Sequence, residues 1–147
     1  MATQNMTLDR QTYSIADIFK AALVAVAAGS VANIVLWLLA VGVGLVPGDF
    51  WVLQPVSIIT STLAFTLVGA VVLAVLTRVS RNPMRTWRVV AVVGLVLSFS
   101  KPFMLLTGSM KGFPVPTAST VAVMLLMHTI AGISAIYFMT TMPKPRS

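Results

Sequence analysis

The hydropathy pattern of the chain consists of four long apolar runs separated by short polar segments. The uncharged runs cover residues 21–48, 50–77, 89–110 with Lys101 as a single interruption, and 112–143. Each run reaches the roughly 20 residues that a helix needs to cross about 30 Å of hydrocarbon. We therefore predict an all-α membrane protein with four membrane-spanning helices. Their predicted bounds are about 15–46, 56–78, 84–107 and 117–141.

Capping residues, glycine and proline set these bounds. Ser14 is expected to cap the first helix with its hydroxyl, and Pro47 with Gly48 is expected to end it. Pro102 lies inside the third predicted helix and has no amide hydrogen, so we expect it to kink that helix. Thr117 is the predicted first residue of the fourth helix.

The composition supports a lipid environment and leaves no room for a soluble domain. Of the 147 residues, 58% are hydrophobic and 9% are charged, and the mean hydropathy is +0.97. Four crossings of about 20 to 26 residues each use about 100 residues of the chain. We therefore expect one transmembrane domain over residues 1–147, surrounded by the lipid bilayer.

The residue types that the chain lacks restrict its chemistry. It has no cysteine, which excludes disulfides, thiolate catalysis, iron–sulfur clusters and Cys-ligated zinc. Its three acidic residues are Asp9, Asp17 and Asp49, all in tails or at predicted helix ends. One histidine without further ligands does not make a protein-only metal site. We expect no metal, no cofactor and no enzymatic activity.

The densest group of positive charges lies between the second and third apolar runs. It consists of Arg78, Arg81, Arg85 and Arg88, which we call the basic turn. Short loops rich in Lys and Arg stay on the cytoplasmic side of a membrane. Because Lys144 and Arg146 end the chain on the same predicted side, we expect an antiparallel four-helix bundle with both termini cytoplasmic, in the plasma membrane. The Lys and Arg residues that give the net charge of +7 lie at the borders of the predicted helices, so nucleic acid is not an expected partner.

Five polar residues within the predicted helices form a candidate intramembrane polar site. They are Asn33, Thr66, Ser98, Lys101 and His128. His128 falls about 16 Å along the fourth helix, near the middle of the bilayer. One interpretation is an imidazole that carries a proton or binds a cofactor as an axial ligand. The other is a neutral ring that forms a hydrogen bond to a neighbouring helix and serves packing alone.

Lys101 also has two interpretations. It lies about 10 Å short of the outer surface, where a lysine bends its aliphatic stem toward the headgroups. Asp49, the acidic residue of the first outer loop, is then its expected partner. Alternatively, the ammonium group lines a polar pocket together with Ser98 and His128.

The sequence also resembles a known family. The stretch from Arg81 to Val93, the pair Leu97-Ser98 and the pair Met127-His128 are similar to a bacterial family of small four-helix membrane proteins, catalogued as domain of unknown function 6069. The resemblance covers nearly the whole chain from the first helix to the fourth. Pro102 fits a proline of that family, whereas Lys101 departs from its pattern. The resemblance implies four helices and a histidine in the last one, and it implies no biochemical activity.

Three functional hypotheses follow from these features. The leading one is a non-catalytic membrane component that acts through helix contacts with copies of itself or with a larger membrane complex, because small residues recur along the helices. The alternative is a small transporter or channel with its site in the candidate polar layer. A further alternative is the binding of a haem or pigment through His128.

Overall fold

The computed structural model of the chain describes residues 12–146. The predicted N-terminal tail, including Asp9 and Arg10, lies outside the described residues. Helices account for most of the described part. They are α1 (Ile15–Gly42), a short 3₁₀ turn (Trp51–Leu53), α2 (Pro55–Val79), α3 (Pro83–Ser98), α4 (Ser100–Leu106) and α5 (Ala118–Thr141).

The all-α fold with four apolar spans is confirmed. Helices α1, α2 and α5 and the combined segment Pro83–Leu106 are each long and apolar enough to cross a membrane. The chain is therefore a multi-pass membrane protein with four helical spans. Two strands of two residues each add one feature that the hydropathy pattern did not predict. Strand β1 (Thr12–Tyr13) pairs antiparallel with β2 (Pro145–Arg146), and Tyr13 lies opposite Pro145.

Helix α1 ends at Gly42, four residues before the predicted bound. Gly44 adopts a φ of 75°, a left-handed conformation that glycine reaches without steric cost. Its N–H group donates to the carbonyl of Val41 at 3.0 Å, and the N–H group of Leu45 donates to that of Ala40 at 2.8 Å. These two bonds form a Schellman motif, which stops the helix before Pro47 is reached. At the other end, Ser14 is the N-cap residue but its hydroxyl forms no capping bond, contrary to expectation.

The third span is interrupted at Phe99. Pro102 has no N–H group to donate to the carbonyl of Ser98, so one bond of the helical ladder cannot form. The N–H group of Phe99 instead bonds Val96, three residues back, at 3.2 Å. This tighter turn separates α3 from α4, at the place where Pro102 was expected to kink a single helix.

Two apolar clusters hold the helices together, and each takes residues from one end of α1, α2 and α5. Helices α1 and α3 each pack against both α2 and α5. The first cluster consists of Ile18, Ala21, Ala22, Ala70, Leu73, Trp87 and Met139. The second consists of Ala40, Val46, Phe50, Leu53, Ile58, Leu105, Val123, Met124 and Met127. The start of α1 therefore shares a cluster with the end of α2 and the end of α5.

Glycines mark the closest helix contacts. A Cβ atom on Gly29 of α1 would lie 3.6 Å from the Cα atom of Ala131 in α5. A Cβ atom on Gly69 of α2 would lie only 2.8 Å from the Trp87 ring in α3. Small side chains at such positions let helix backbones approach, which matters in lipid because it supplies no hydrophobic drive between helices.

Candidate functional site

Asn33 joins α1 to α5 inside the bundle. Its side chain is only 3% exposed, and its Nδ2 atom donates to the main-chain carbonyl of Met127 at 3.2 Å. Within residues 12–146 its Oδ1 atom is buried and has no hydrogen-bond partner. Asn33 therefore uses one of its polar groups as a contact between helices and keeps the other unused.

His128 bonds to its own helix. Its Nδ1 atom lies 2.7 Å from the carbonyl oxygen of Met124, one turn earlier in α5. Because a carbonyl oxygen only accepts, Nδ1 is the donor of this bond. The imidazole is half-buried. The expected hydrogen bond to a neighbouring helix is thus replaced by a bond within α5.

Ser98 and Lys101 do not turn toward Asn33. The Ser98 hydroxyl donates to the carbonyl of Leu95 in its own helix at 2.6 Å. Lys101 is exposed, and its Nζ atom lies 5.3 Å from the ring centroid of Phe65, which is itself 61% exposed. This is a cation–π contact on the outer surface of the bundle. The contact with Phe65 takes the place of the expected pairing with Asp49.

Thr66 occupies the buried face of α2. It is 7% exposed, and Thr62, one turn earlier, is 8% exposed. Neither hydroxyl forms a hydrogen bond to another described residue. Of the predicted polar layer, Asn33 and Thr66 are buried and His128 is half-buried, while Lys101 lies outside. Whether these residues act as one site remains a prediction.

The basic turn is exposed at one end of the helices. All four of its arginines are exposed, whereas Pro83 and Trp87 between them are buried. The turn is held by a hydrogen bond of 2.9 Å between the hydroxyls of Ser80 and Thr86. The main-chain N–H group of Thr86 also donates to the carbonyl of Asn82 at 3.0 Å. The local structure therefore fixes the backbone of the turn, and the guanidinium groups of Arg81, Arg85 and Arg88 are exposed to headgroups or water.

Comparison with known proteins assigns the chain to a family. A model of a family of unknown function (DUF6069) matches residues 14–143. The chain belongs to this family. The match confirms the resemblance carried by the basic turn and by Met127 with His128. No curated protein and no solved structure matches this DUF6069 protein.

Two residues of this DUF6069 protein complete a polar stripe that sequence reasoning missed. The Oγ atom of Ser30 and the Nε1 atom of Trp37 are buried and lack a hydrogen-bond partner within the described chain. With Asn33 they recur at spacings of three and four residues, which is one face of a helix. We call Ser30, Asn33 and Trp37 the α1 polar stripe. The spacing was visible in the sequence, but the lack of partners was not.

The described part of this DUF6069 protein contains no group of three or more His, Cys, Asp and Glu side chains that could hold a metal ion. His128 is the one histidine of the chain. The arrangement thus supports hydrogen bonding between helices, as Asn33 shows.

Proposed function

We propose that this DUF6069 protein is a non-catalytic component of the plasma membrane that acts through helix contacts with a second copy of itself or with a larger membrane complex. The observation that carries this proposal is the poor coverage of the third span. Only 11% of the residues in its most apolar 18-residue stretch are buried, against 33% in the first span. The third span thus has the most side-chain surface left for a neighbour.

The uncovered face of α3 has the composition of a helix contact. Val90, Gly94 and Leu97 recur at spacings of four and three residues and are exposed. A Cβ atom on Gly94 would meet no atom within 4 Å. A glycine in the middle of an apolar face allows another helix to approach closely, and such close packing drives association in lipid.

The proposed orientation is an antiparallel bundle with both termini and the basic turn on the cytoplasmic side. The two apolar clusters support it, because the start of α1 packs with the end of α2 and the end of α5. The pairing of Tyr13 with Pro145 supports termini on one side. The four exposed arginines of the basic turn favour the cytoplasm for the α2–α3 connection.

Photo-crosslinking tests the proposed contact. A benzophenone side chain at position 97 is expected to give a protein adduct in native membranes, whereas one at position 31 is not. The two positions form a matched pair, because Leu97 is 66% exposed and Val31 is 64% exposed, on different helices. Both lie about 20 to 25 Å from the helix end nearest the basic turn.

The adducts distinguish the outcomes by mass. An adduct with twice the mass of the chain indicates self-association, and an adduct of any other protein mass indicates a partner in a complex. Either result supports the proposal. Adducts to lipid alone at position 97, or equal protein adducts at both positions, would contradict a helix contact through α3.

A further inference from the structure

Hydroxyl groups on the outer parts of the helices are satisfied by their own backbone. Thr60 donates to the carbonyl of Val56 at 2.8 Å, and Ser61 donates to that of Ser57 at 2.7 Å. Eight further exposed or half-buried hydroxyls bond a carbonyl three or four residues back in the same way. They belong to Thr77, Thr86, Ser98, Ser100, Thr107, Thr129, Thr140 and Thr141. Lipid offers no hydrogen bonds, so a hydroxyl that faces it must find its partner within the helix.

Three hydroxyl groups in the interior behave differently. Ser30, Thr62 and Thr66 are buried, and none of them bonds a carbonyl of its own helix or any other described residue. Thr62 directly follows Thr60 and Ser61 in α2, so neighbouring hydroxyls on the same stretch of helix differ in whether they bond their own backbone. These open hydroxyls lie on two helices that pack against each other, whereas the buried hydroxyl of Thr120 in α5 donates to the carbonyl of Leu45 at 3.3 Å.

The α1 polar stripe adds groups of complementary character. Over about 10 Å along one helix face it presents a hydroxyl on Ser30, an acceptor on Asn33 and a donor on Trp37. All three atoms are buried without a partner within residues 12–146. A buried polar atom without a partner loses its hydration and gains nothing in return, so three in a row on one face point to a ligand.

We infer that the interior between α1 and α2 binds ordered water along the α1 polar stripe, with Thr62 and Thr66 as the partners on α2. The ligand must be neutral, because every one of these side chains is uncharged and Lys101 lies outside over Phe65. It must also both donate and accept, because Asn33 Oδ1 needs a donor and Trp37 Nε1 needs an acceptor. Water meets both conditions and is held in proteins by two to four such groups.

Water-edited solid-state NMR of the full chain in liposomes tests this inference. Magnetisation transfer from water to the Trp37 indole N–H group is expected in the wild type. Trp51, which is 48% exposed, serves as the positive reference within the same sample. Absence of transfer to Trp37, with the transfer to Trp51 intact, would overturn the inference without any variant.

A matched pair of variants tests whether the water belongs to this site. Asn33→Leu or the double change Thr62→Val with Thr66→Val is expected to reduce the transfer to Trp37 by at least about threefold, because it removes partners of the bound water. Thr60→Val removes a hydroxyl of the same helix that bonds its own backbone, so it is expected to leave the transfer unchanged. Equal transfer in all variants, with the Trp51 signal preserved, would show that the water at Trp37 is not held by the stripe.

Discussion

Gly69→Ala is expected to lower the free energy of unfolding by about 1–3 kcal/mol, the usual cost of adding atoms to a well-packed contact. The added Cβ atom would lie 2.8 Å from Cη2 of Trp87, so the rigid indole ring has to move. Trp87 is only 4% exposed and packs in the apolar cluster that joins α1, α2 and α5. Unfolding of the protein in mixed micelles with increasing SDS measures the change.

Gly42→Ala is the matched control for this prediction. Both glycines belong to helices, but no atom approaches the Cβ position of Gly42 within 4 Å. We expect its free energy of unfolding to stay within about 0.5 kcal/mol of the wild type. In addition, Trp87→Phe should recover part of the loss caused by Gly69→Ala, because phenylalanine lacks the Cη2 atom. Equal losses in the two alanine variants would mean that the contact between Gly69 and Trp87 is not tight.

Changing all four arginines of the basic turn to glutamine is expected to disturb membrane orientation. In the wild type, a reporter inserted at Asn82 should remain on the cytoplasmic side in nearly every chain, because the four exposed guanidinium groups retain this loop there. In the variant we expect the reporter outside in about a third or more of the chains. Paired reporters that are active on opposite sides of the membrane give the two fractions.

The control for the orientation experiment removes two cations from the opposite end of the helices. Changing Lys101 and Lys111 together to glutamine should keep the wild-type orientation, since these residues oppose the charge bias. A reporter at Asn82 that is external in the wild type would contradict the proposed topology. A four-glutamine variant with unchanged orientation would show that the bias comes from elsewhere in the chain.

The spans were predictable from sequence because lipid imposes a simple rule on the backbone. Only a helix satisfies its own polar groups across the hydrocarbon, so the apolar runs alone locate it. The one sizeable error, at the end of α1, arose from choosing Pro47 as the terminator when Gly44 forms the Schellman motif. Both signals were present, and the choice between them depends on hydrogen bonds that a hydropathy pattern does not contain.

The candidate site was predictable only in part. Asn33 could be identified because an amide inside a membrane span needs a partner. The direction of the Lys101 side chain could not be predicted, since it depends on the interruption at Phe99 and on the presence of Phe65 on the adjacent helix. Ser30 and Trp37 were missed for a related reason. Both are common in membrane helices, and only their neighbours in the fold show that their polar atoms have no partner.

The pairing of β1 with β2 brings the backbone at residue 12 beside the backbone at residue 146, so the described polypeptide is nearly a closed ring. A short linker could complete that ring, and the chain could then be opened in the loop between α4 and α5 to give a circular permutant. Such a permutant would start with the present last helix and keep every interhelical contact. Fluorophores attached at residues 12 and 146 would also report, through their energy transfer, when β1 and β2 separate.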